Sequence, residues 1–102
     1  MPKTAALTAD TLVARYAVDI AFVTGQTPAT TLADFADQLS TAGDTLTAAY
    51  ITLAEEFETA ASLLRVAADP DVTASDQDVL LKRSVRYLKD IPDAVGEYRL
   101  TV

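Results

Sequence analysis

Residues 96–102 read GEYRLTV. Tyr98, Leu100 and Val102 alternate with Arg99 and Thr101, the two-residue period of a half-buried β-strand. Read that way, the end of the chain is extended, while almost everything before it carries helical spacing. A strand must satisfy its backbone donors and acceptors on some neighbour. It can be disordered, as chain ends often are, it can pair with residues 18–24 if those are themselves extended, or it can join a sheet on another molecule. Gly96 lets the chain swing away from the body before Tyr98, which favours the intermolecular choice. Tyr98, Arg99, Leu100, Thr101 and Val102 are then candidate partner-binding residues.

Immediately upstream, residues 76–91 read DQDVLLKRSVRYLKDI. Leu80, Leu81, Ser84, Val85, Tyr87, Leu88 and Ile91 fall on one side of a helix, and Lys82, Arg83, Arg86 and Lys89 on the other. Acids at its start and bases near its end complement the helix dipole. Pro92 is expected to end it, and DAVG (93–96) to turn the chain. Before this helix, ADPDVTAS (68–75) is a breaker, with Thr73 or Ser75 as N-cap.

Further back, Leu32, Phe35, Leu39, Ala42, Leu46, Ala49 and Leu53 step by three and four. The pairs Leu39–Tyr50, Leu46–Phe57 and Leu53–Leu64 are eleven apart, a period that suits a nearly straight helix. Gly43-Asp44 interrupts the run without shifting its phase. Glycine stops helices and aspartate starts them, so the spacing predicts a break at Gly43, with one unbroken helix over 31–68 as the alternative. At the start, Pro2 delays the first helix, Thr8 is its N-cap and Gly25 its C-cap. Leu12, Tyr16, Ile20 and Val23 form its apolar stripe. Thr30 or Thr31 caps the next helix. The expected fold is all-α: a three- to four-helix bundle over 1–92 with an extended C-terminal tail over 93–102.

Composition narrows the chemistry. The 102 residues contain no Cys and no His, which removes disulfides, thiol nucleophiles, the commonest general base and the commonest metal ligand. Three glycines cannot build a phosphate-cradling loop. The net charge of −7 is uneven, at −9 through Leu81 and +2 from Lys82 onward. An acidic body disfavours nucleic acid. Neither a secretory leader nor a membrane-spanning run is legible, so a cytoplasmic origin is expected. Glu55, Glu56 and Glu58 flank the apolar Phe57 and are expected to face water. The aspartates from Asp69 to Asp78 suggest a calcium loop only faintly. The required glycine of that loop falls on Ala74 and its bidentate glutamate on Leu80. No catalytic residue, metal site or cofactor is expected.

The basic stripe Lys82, Arg83, Arg86 and Lys89 is the second candidate partner-binding surface, since it can meet the acidic body of a neighbouring subunit. In LTAAYITLAEEFETAASLLRVAADPD (46–71), the basic amphipathic helix and EYRLTV (97–102), the chain resembles the small helical head-to-tail adaptor or neck proteins of tailed bacteriophages. That resemblance implies a non-enzymatic structural subunit of a virion. It would form a homo-oligomeric ring and dock an extended segment on a portal- or neck-like partner. Two other classes fit the residues. One is a small acidic cytoplasmic regulatory or inhibitor module that occludes a basic partner. The other is a bundle holding an apolar ligand among Ala-lined helices.

Overall fold

A computed structural model describes residues 8–52 and 54–102. The expectations for Pro2 and Leu53 lie outside the described residues. Three threonines start three helices. Thr8, Thr31 and Thr73 have extended backbones, and their hydroxyls accept from the backbone N–H of Thr11, Asp34 and Asp76 at 3.2, 3.2 and 3.0 Å. Each bond satisfies one of the donors that a helix start leaves free, and is worth about 1 kcal/mol. Helix α1 spans Ala9–Thr24, α2 Leu32–Ala48, α3 Ala54–Ala67, α4 Ala74–Leu88 and α5 Ile91–Arg99. Gly25 closes α1 in the left-handed region, at φ 72°, as its position predicts. Residues 18–24 are helical. The last two segments make one bent helix of 26 residues, so the fold is an all-α bundle of four helices.

Helix α2 packs on α1 and α3, α4 packs on α3, and α5 returns to α1, closing the bundle. The predicted stripes meet inside it. Leu12, Ile20, Phe35, Leu39, Leu46, Phe57, Leu64, Leu81, Leu88 and Ile91 are fully buried. Removing side chains of this size from water stabilises the fold by about 1.5–3 kcal/mol each. Ser84 is the one buried polar side chain among the described residues, and its hydroxyl donates to the Leu81 carbonyl at 2.7 Å.

Two expectations are overturned. The helix does not break at Gly43. It runs on to Ala48, and Gly43 is buried, with the site of a missing Cβ only 3.2 Å from Phe57 Cβ. The glycine is there so that α2 and α3 can approach closely. The chain reverses instead at Tyr50, which takes φ 62° with no glycine present. Tyr50 N–H donates to the Thr47 carbonyl and Ile51 N–H to the Leu46 carbonyl, both at 3.0 Å, the paired bonds of a Schellman cap. Ile51 is buried beneath the turn. The left-handed conformation costs a bulky L-residue about 1–2 kcal/mol. The eleven-residue step from Leu39 therefore places Tyr50 in solvent, 93% exposed.

The second correction concerns 93–102, which is not extended; the described residues contain no strand. Pro92 does not end the helical course. It is the second residue of α5, where a missing N–H costs nothing. Ile91, Ala94 and Val95 are buried and Tyr98 is half-buried. These residues are spaced for one helical face, and that face lies on α1. The backbone N–H groups of Ala94, Leu100 and Thr101 donate to the carbonyls of Asp90, Glu97 and Tyr98. These bonds are made within the chain, so the segment offers no row of free donors to a neighbouring sheet.

Candidate functional site

The candidate surfaces predicted from sequence fare differently. Of the tail residues, Tyr98 and Arg99 are engaged within the chain. The Tyr98 ring meets Phe22 edge-on, with centroids 6.1 Å apart and planes at 78°. The Arg99 guanidinium lies 4.1 Å from the centroid of the same Phe22 ring, a cation–π contact. Thr101 donates its hydroxyl to the Tyr98 carbonyl at 2.7 Å, in the turn that follows α5. Leu100 and Val102 stay in solvent at 88% and 77% exposure.

The basic stripe also divides. Lys82 is paired with Asp78, one turn earlier on α4, at 2.9 Å. Lys89 stands at the bend between α4 and α5, where its charge is felt by Glu56. Arg83 and Arg86 have no ion-pair partner among the described residues. Both line a cleft of about 440 Å³ between α3 and α4, with Thr59 and Leu63 on one wall and Tyr87 beside them on the other. Arg83 also borders a smaller, more apolar hollow of about 250 Å³ with Val66, Val72, Val79, Leu80 and the carboxylate of Asp76, with which it makes no ion pair. The seam thus offers two permanently charged, planar donors set among apolar and hydroxyl groups, with one carboxylate, Asp76, at its Arg83 end. That combination suits aromatic faces and carboxylates.

Residues 69–73 form a loop that caps α3 and leads into the first turn of α4. Asp69 Oδ1 accepts from Asp71 N–H at 2.8 Å, and Gln77 donates its amide to the Ala67 carbonyl at 2.9 Å, covering the end of α3. Of the three glutamates, Glu55 and Glu58 are exposed as expected, and Glu58 accepts from Ser40 at 2.7 Å across the α2–α3 seam.

Glu56 departs from the expectation. Its Oε2 is out of solvent with no hydrogen-bond partner, although the residue as a whole is only half-buried. Its carboxyl faces that of Asp90 at the α4–α5 bend. Only a protonated acid can pair with the neighbouring Asp90 carboxyl, and this holds Glu56 above the ordinary value of 4.5. Burial and the negative charge of Asp90 push the same way, while Lys89 opposes them.

Sequence spacing gave no signal for the Glu56–Asp90 pair, whose members are far apart in the chain, or for Tyr50 as a turn residue. The Phe22–Tyr98–Arg99 cluster did carry a signal, because Ile91, Ala94, Val95 and Tyr98 are also spaced as a helix face. No helix among the described residues is long and apolar enough to cross a membrane. Set against known protein families, curated proteins and solved structures, the chain has no significant match.

Proposed function

We propose that this protein is a non-catalytic assembly subunit that binds other protein subunits through the arginine-lined seam of α3 and α4. The observation that carries this reading is the placement of Arg83 and Arg86. They line a cleft without an ion-pair partner among the described residues, on a chain whose net charge is −7. A cation with abundant intramolecular acids available, yet left without one, is free for an acidic or aromatic group on another surface. The size, acidity and helical make-up resemble those of phage adaptor and neck proteins, which supports a place in a virion ring with a portal- or neck-like neighbour. Docking by an extended C-terminus is not part of the proposal, since residues 91–99 are helical.

Native mass measured by sedimentation over a range of concentration and salt tests the reading. The expected result is a species heavier than the 10.8 kDa chain that falls apart as salt rises. The double variant Arg83→Glu/Arg86→Glu should lose it while keeping its helical circular dichroism. A chain that is monomeric throughout, or a double variant that assembles like the parent, overturns the reading.

A further inference from the structure

We infer that Tyr50 of one copy seats in the Arg83–Arg86 cleft of a second copy. The inference rests on the assembly reading above and names what fills the seam. Tyr50 is held in a backbone conformation that glycine adopts freely and a bulky side chain does not. The two Schellman bonds at this turn are backbone bonds, and glycine would make both. The ring contributes nothing to its own chain's core, because it stands almost wholly in solvent at the tip of the α2–α3 turn. The return on that strain lies outside the chain.

The cleft suits this occupant. Guanidinium groups attract the face of an aromatic ring, Leu63 and Tyr87 supply apolar walls, and Thr59 supplies a hydroxyl near which a phenol can be satisfied. Charge matches as well. The exposed acids Asp44 and Glu55 flank Tyr50 along the chain, and no basic residue occurs between positions 44 and 56. Large, rigid aromatics paired with arginine are the usual energetic centres of protein interfaces. The turn and the cleft are different surfaces, so a copy whose Tyr50 is engaged by one neighbour still offers its cleft to another. This is a head-to-tail contact that builds rings or chains.

The test uses the full chain in four forms: the parent, Tyr50→Gly, Tyr50→Phe, and Arg83→Glu/Arg86→Glu. Tyr50→Gly should become monomeric while keeping the parent's helical circular dichroism, because glycine makes the same turn. Tyr50→Phe should keep the parent's mass. Tyr50→Gly retains an intact cleft and the double variant an intact Tyr50. An equimolar mixture of these two monomers should therefore form a species of two chains. If Tyr50→Gly keeps the parent's mass while the double variant is monomeric, the inference falls and the seam reading stands. If the mixture stays monomeric, Tyr50 is not the group the cleft holds, and the inference falls. If the parent is itself monomeric, or the double variant assembles, both the inference and the reading fall.

Discussion

Helix α3 has two flanks, and they are built differently. On the α2 side, buried Gly43 lies against Ala54 and Phe57, both buried, and Phe57 Cβ sits where a larger residue at Gly43 would have to go. Polar groups are confined to the rim, where Ser40 meets Glu58 and Arg65 lies 3.5 Å from Asp37. On the α4 side, Leu81 and Leu88 of α4 are buried in the core, but the outer edge opens into the cleft of Arg83 and Arg86. Small residues let the first pair of helices exclude water along their contact. Long charged side chains leave the second seam wet at its edge. One flank is closed by small residues, and the other leaves two guanidinium groups at an open edge.

The sharpest way to break this contrast is to truncate one apolar residue on each flank. Phe57→Ala should cost about 3–5 kcal/mol in urea unfolding, from lost transfer energy and the cavity left behind. Leu63→Ala, at the lip of the open cleft, should cost under about 1 kcal/mol. Similar losses at the two sites would mean that the flanks are not distinct. Gly43→Leu should come next, at about 1–3 kcal/mol, because the new side chain must push α2 away from Phe57. An unchanged midpoint would show that the close approach is not needed.

The smallest effect belongs to Glu56. A pKa raised in the folded state means stability that is present in acid and lost as pH rises through that pKa. Glu56→Gln supplies a permanent donor to Asp90 and should be more stable than the parent at neutral pH. The gain is about 0.5 kcal/mol, since the site is partly screened by solvent. The gap should close as pH falls toward the ordinary glutamate value. A difference that stays constant with pH would remove the carboxyl pair from the account.

What could be read from sequence was local. Thr8, Thr31, Thr73 and Gly25 cap helices through bonds that reach three or four residues, so their roles are visible in a short window. The stripe through Leu39, Leu46, Phe57 and Leu64 was equally plain. Gly43 was misjudged because glycine serves two purposes, and only the arrival of α3 decides between them. The tail was misjudged because Tyr98 belongs to two periods at once. The alternation through Leu100 and Val102 competed with a helical set that has α1 beneath it, and burial settled the matter. Arg83 and Arg86 were found because charge patterning is visible in one helix. Their cleft, the Glu56 pair and the exposed ring of Tyr50 depend on segments brought together by folding.

The return of α5 to α1 has a kinetic consequence. The other principal pairings, α1 with α2, α2 with α3 and α3 with α4, join helices that are consecutive along the chain. Each can form as a hairpin with little loop entropy to overcome, which makes for rapid folding. Only the α1–α5 contact spans nearly the whole polypeptide, so it is the natural last step of folding and the first to open. Amide protons of Ala94 and Val95 should exchange with solvent deuterium ahead of those in α2 and α3, marking the place where the closed bundle unlatches.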